Sequence, residues 1–159
     1  MTESNLRLLA DCEYEIKNIL QWIDKNRFHS NIKYLVSYAI IKASGTIEIV
    51  FKTIIYDFLS ENATKEAKQF LSSKILDSSC NPSTQKISAI INGFDGKKSK
   101  DFDKKLKNTQ EKSDLNSLVS LRNDLAHGGT VNVTINTVYK YFVSGKTVIE
   151  WLEDIIQKQ

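Results

Sequence analysis

Residues 31 to 60 read NIKYLVSYAIIKASGTIEIVFKTIIYDFLS, and the fold class follows from their spacing. Ile32, Leu35, Val36, Ala39, Ile40, Ala43, Ile47, Val50, Phe51, Ile54, Ile55 and Phe58 recur every three or four positions, the period of one helical face. A helix of that length spans about 45 Å at 1.5 Å per residue and would be the spine of a domain. Lys42, Glu48 and Lys52 interrupt the apolar run, so no stretch reaches the roughly 18 uninterrupted apolar residues of a membrane span. Ser44 and Gly45 stand mid-spine, where small side chains would let another helix approach closely.

Outward from this spine the same period returns. Leu6, Leu9, Cys12, Ile16, Ile19, Leu20 and Ile23 predict a helix over residues 4 to 24, with Ser4 as cap. Residues 64 to 76 and 81 to 94 predict two short helices, the second capped by Asn81 with Pro82 at its first position. Leu115, Leu118, Leu121 and Leu125 predict a helix over 113 to 127, started by Ser113 and Asp114 and ended by Gly128 in the left-handed conformation. TVNVTI, 130 to 135, alternates like a strand but has no partner, and is read as an extended connector. Val138, Phe142, Val148, Leu152 and Ile155 predict a last helix over 136 to 157, capped by Asn136. The expectation is all-α: an up-and-down bundle of four main helices with short additional helices, in a single domain spanning 1 to 159.

The net charge is only +3, but it is unevenly placed. KKSKDFDKKLKNTQEK, residues 97 to 112, holds 7 lysines against 3 acids and accounts for the whole excess. Lys97, Lys98, Lys100, Lys104, Lys105 and Lys107 are therefore candidate contacts for a polyanion such as RNA, against the plainer reading of a solvated connector. Whether that segment is helical or irregular is open. Cys12 and Cys80 have neither metal-ligand nor redox spacing, and with His29 and His127 as the only histidines no metal or other cofactor is expected. The opening residues lack the apolar run of a signal peptide, which points to a cytoplasmic protein. Tyr34, Tyr38, Tyr139 and Tyr141 could stack bases, although aromatics on helices more often pack.

The other unusual stretch is SLRNDLAHGG, 120 to 129. Asn123 and His127 lie four apart on one helical face, while Arg122 is about 140° from His127 at 100° per residue. The residue types suit metal-free phosphodiester cleavage. A histidine titrates near pH 6.5 and can take or give a proton, an arginine fork holds phosphate oxygens, and an asparagine can orient either. One chain lacks a second acid or base beside His127; a two-fold dimer would supply one. The bland alternative pairs Arg122 with Asp114 or Glu111 and leaves His127 capping the helix.

Arg-Asn-x3-His at a helix end, inside an all-helical domain, resembles the HEPN superfamily, whose signature is arginine, four to six residues, then histidine. The segment SYAIIKASGTIEIVFKTIIYDFL is similar to the second helix of its RiboL-PSP and MAE-type branches, where a small-residue pair precedes Ile-Glu. The resemblance implies a metal-independent ribonuclease, assembled as a homodimer with both motifs across the interface, in which the RNA 2′-hydroxyl attacks its own phosphate. By that resemblance Arg122 would hold the scissile phosphate, His127 would be acid or base and Asn123 would assist, while Glu48 matches the pattern without a stated role. It further implies a toxin or phage-defence setting with a regulatory or antitoxin partner. Gly129 stands where some HEPN toxins carry a tyrosine that a partner modifies. A non-catalytic HEPN module, dimerising or binding RNA for a separate effector, stays open as the alternative.

Overall fold

The computed structural model describes residues 1 to 158, and among these every regular element is helical. Four long helices, α1 (Glu3–Lys25), α2 (Ile32–Ser60), α6 (Gln110–Ala126) and α7 (Ile135–Gln157), form the bundle. Between α2 and α6 come α3 (Lys65–Leu71), running into a π-helical turn at Ser72–Leu76, then α4 (Thr84–Asn92) and α5 (Gly96–Leu106).

Contacts along the bundle give the directions. Glu13 of α1 pairs with Lys146 of α7, and the Met1 amino group pairs with Glu153, so these two helices run antiparallel. Ile47 of α2 meets α7 at Gly145, and Phe58 and Ile155 meet at Lys98, so α2 and α7 run parallel. The α1–α2 turn and the α6–α7 connection therefore share one end of the bundle. The opposite end holds the termini of α2 and α7 together with α5.

The spine helix is where the spacing puts it. Ala39, Ile40, Ala43, Ile47, Val50, Phe51 and Ile55 are fully buried and meet Phe142, Val148 and Leu152 of α7 and Leu115 and Leu118 of α6 in one core. By length and composition α2 could pass for a membrane span, yet α1, α6 and α7 take up its apolar stripe. Close approach does not occur at Gly45, contrary to expectation. A Cβ there would meet open space, whereas one on Gly145 of α7 would collide with Ile47. Ser44 is buried, and Gly45 one residue on turns toward solvent.

The three other long helices start at side-chain caps that sit a little earlier than predicted, while α2 starts at Asn31 without a side-chain cap bond. Thr2, Thr109 and Thr134 accept backbone N–H bonds and start α1, α6 and α7, in place of Ser4, Ser113 and Asn136. Before α6 the reason is local. Asn108 adopts φ 60, which breaks the chain after α5 and sets Thr109 extended, as a cap requires. Ser83 replaces Asn81 as the cap of α4, freeing the Asn81 side chain for another partner. The lysine-rich segment is helical because Asp95 caps it and Ser99, Phe102 and Leu106 bury one face. TVNVTI is an extended connector whose Val131 and Val133 turn inward against the core while Thr130, Asn132 and Thr134 face out.

Candidate active site

The motif occupies the last turn and a half of α6. His127 is the residue that ends the helix, its N–H donating to the Asn123 carbonyl at 3.1 Å. Gly128 follows at φ 77, its N–H on Leu125, and the Gly129 N–H reaches back to Asp124 at 2.8 Å. These paired bonds form a Schellman stop, which satisfies the last carbonyls and swings the chain away from the imidazole. His127 is left exposed, and its ring has no hydrogen-bond partner among the described residues.

Arg122 and Asn123 are half-buried one turn earlier. Arg122 Nη1 lies 3.5 Å from Asn123 Oδ1, at the outer limit of a hydrogen bond. No carboxylate pairs with Arg122 among the described residues, which removes the first half of the bland alternative. Asp114 is engaged elsewhere: it accepts from Gln110 at 2.7 Å and from Ser144 at 2.8 Å, and faces Lys140 at 3.4 Å. Burial alone would raise its carboxyl, but those donors outweigh it and hold the group below the ordinary aspartate range. Asp114 thus joins α6 to α7, and Arg122 remains a free cation. The second half of the alternative stands only for the backbone, since the imidazole itself caps nothing.

Glu48 comes to the same region from α2. Its Oε1 accepts from Lys52 at 2.6 Å and from the Cys80 N–H at 3.2 Å, and Lys52 also donates to the Ser78 carbonyl. One residue beyond Cys80, Asn81 Nδ2 donates to Asn123 Oδ1 at 3.0 Å. The link from Glu48 to the motif therefore passes through residues 78 to 81, which no periodicity marks. The one signal in the sequence was Asn81 beside Pro82, and that reads equally well as a helix cap.

The lysines are not gathered with the motif. They lie on α5 at the far end of the α6–α7 hairpin, one length of α6 away, about 25 Å for its 17 residues. Lys98 departs from the expected set altogether: half-buried, it donates to the Ile155 carbonyl at 3.2 Å and to that of Lys158, covering the end of α7. Lys105 lies over the Trp151 ring, 4.8 Å from its centroid. Lys97, Lys100, Lys104, Lys105 and Lys107 are exposed, and a cleft of about 790 Å³ opens beside Lys97, Lys98, Lys104 and Lys105.

Of the remaining candidates, His29 shares the motif's end of the bundle, but its Nδ1 accepts the Asn31 N–H at 3.1 Å and its ring stands edge-on to Trp22. Tyr139 packs inside and donates to Glu13 at 3.1 Å, Tyr141 is half-buried, and Tyr34 and Tyr38 are exposed. Burial pushes the thiols of Cys12 and Cys80 up, so neither is a nucleophile at neutral pH. Among the described residues no three His, Cys, Asp or Glu side chains cluster as metal ligands would.

The arrangement is one helix end with an arginine unpaired among the described residues, a held amide and an open imidazole, linked to Glu48 of α2 through residues 78 to 81. A family model described as RiboL-PSP-HEPN matches residues 6 to 158, nearly the whole chain. The chain belongs to the RiboL-PSP-HEPN family. The comparison with curated proteins and that with solved structures find no match. Family membership accords with the helical bundle and supports a role connected with RNA.

Proposed function

We propose that this HEPN chain is a metal-independent endoribonuclease whose site is completed by a second copy of itself. The 2′-hydroxyl of the substrate attacks the adjacent phosphorus, the 5′-oxygen of the next nucleotide leaves, and a 2′,3′-cyclic phosphate remains. One histidine takes the hydroxyl proton and another gives a proton to the leaving oxygen, so His127 of each copy has a task. Arg122 offers its planar fork to the charge that grows on the phosphate oxygens, and Asn123 adds a neutral donor.

The observation that carries this reading is Arg122: a half-buried arginine that, among the described residues, has no carboxylate partner and bonds only the amide beside it. An arginine so placed has its planar fork of donors available to an anion. A phosphate supplies the missing anion. The twin is supported by the outer face of α2, where Tyr34, Tyr38, Ile41 and Ile49 form an exposed stripe and Gly45 leaves room in its middle. Exposed Lys97, Lys100, Lys104 and Lys107 would hold RNA running away from the cut. The setting proposed is cytoplasmic, in a toxin or phage-defence system where a partner protein restrains the nuclease.

The test is cleavage of a mixed-sequence RNA in excess EDTA. The parent chain leaves cyclic phosphate ends, and Arg122→Ala or His127→Ala lowers the rate at least about 100-fold with unchanged circular dichroism. Ile49→Glu leaves a monomer by sedimentation and removes cleavage with the motif intact. Cleavage that survives both motif changes, or that needs a divalent ion, overturns the proposal. RNA binding by all variants with turnover by none assigns the chain to the non-catalytic module instead.

A further inference from the structure

Asn123 Oδ1 has two donors aimed at it. Asn81 Nδ2 lies at 3.0 Å and Arg122 Nη1 at 3.5 Å, and a carbonyl oxygen has two lone pairs to give. The orientation of this amide is therefore determined. Arg122 has only donors, so Asn123 turns its oxygen toward Arg122, where a reversed amide would set N–H against N–H, and Asn81 then meets that oxygen with its own N–H. Both hydrogens of Asn123 Nδ2 are then left without a partner among the described residues, next to the free guanidinium.

What holds Asn81 in place is a strap across two helices. Glu48 Oε1 grips the Cys80 N–H, and Lys52 grips the Ser78 carbonyl while neutralising Glu48. Downstream, Asn116 Oδ1 accepts the Thr84 N–H at 3.0 Å and also contacts the Thr84 hydroxyl. Asn116 and Asn123 are seven residues apart, on one face of α6. The strap is thus fastened on both sides of Asn81 without using its side chain.

We propose that Asn81 is a positioning residue for the cleavage site: it fixes the Asn123 amide with its N–H groups facing the phosphate, and Glu48 with Lys52 holds the strap that delivers it. This rests on the ribonuclease reading and gives Glu48 a part in the site without contact to RNA. A merely structural Asn81 would act through stability alone. A positioning Asn81 acts through Asn123 and through nothing else.

The experiment compares Asn81→Ala, Asn81→Asp, Asn123→Ala and the double variant Asn81→Ala with Asn123→Ala. Asn81→Ala is expected to lower kcat roughly tenfold with KM and melting temperature little changed, the scale of one lost hydrogen bond to the site. Asn81→Asp is expected to fall further, since its carboxylate faces the Asn123 oxygen and draws Nδ2 inward. The double variant should cleave no more slowly than Asn123→Ala, because residues acting in series do not add. A second readout needs no turnover: the side-chain amide resonances of Asn123, assigned by their loss in Asn123→Ala, should shift in both Asn81 variants. If those resonances stay in place, or if the two alanine changes multiply in kcat, the proposal is overturned. Should the parent chain cleave no RNA, the ribonuclease reading fails by itself, and the resonances still decide whether Asn81 sets the amide.

Discussion

Gly128 holds a backbone conformation, φ 77, that a side chain resists, and it does so one residue after His127. A Cβ there would touch nothing, so the cost of replacing it is conformational alone. Gly128→Ala is expected to destabilise the chain by about 1 kcal/mol in urea unfolding and to reduce cleavage more than stability explains, because His127 loses its fixed exit. Gly129 differs, since a Cβ would sit 2.8 Å from the Asp124 carbonyl oxygen and press directly on the Schellman bonds. At this scale the sequence was informative: Arg122, Asn123, His127 and the glycine stop are legible in ten consecutive letters. Asn81 was not, because its partner lies 42 positions away and nothing in its own neighbourhood names that partner.

The crossing of α2 and α7 turns on Gly145, which is buried against Ile47 of the spine and has Leu115 of α6 close by. A glycine inside a helix costs about 1 kcal/mol relative to alanine, so its presence there marks a distance that packing requires. Gly145→Val is expected to lower stability by about 1 to 3 kcal/mol although it eases part of that helix penalty, read as a reduced urea midpoint at unchanged slope. Elements with a long apolar stripe were read correctly from spacing, α2 above all, because 3.6-residue periodicity survives in any packing. Their ends were not, since Thr2, Thr109 and Thr134 compete with equally suitable Ser4, Ser113 and Asn136. Gly45 and Gly145 show the same limit. Both are small residues on long helices, and only the neighbouring helix decides which of them is a contact.

Across the whole molecule, α1 is tied to α7 by Glu13, which accepts from Lys146 at 2.5 Å, Lys17 at 2.8 Å and Tyr139 at 3.1 Å. Lys146 foremost, then Lys17, holds the Glu13 carboxyl down at about 2, from an ordinary value of 4.5. A carboxylate depressed in the folded state favours the fold fully above its unfolded value, and that share is lost as pH falls through the folded one. Stability should therefore decline as pH drops from 4.5 toward 2, with Glu15, lowered by Lys42, adding to the decline. Glu13→Gln should weaken the chain at pH 7, by about 1 to 2 kcal/mol for charged hydrogen bonds, and lie closer to the parent near pH 3. Urea unfolding at the two pH values checks this, and a gap that widens in acid contradicts it.

By itself the sequence determined that the chain is helical, that residues 31 to 60 form its spine, and that Arg122, Asn123 and His127 share a helix end. Those facts depend on spacing along one helix, which is local and needs no knowledge of neighbours. Tertiary structure decided which charges are free and which are used. It paired Asp114 with α7 and left Arg122 open, bound Lys98 to the end of α7, and carried the other lysines to the opposite end of the bundle. It also brought Glu48 and Asn81 to the motif through a strap with no periodicity of its own. The physical reason is that the environment of a charge or an amide is set by atoms distant in sequence.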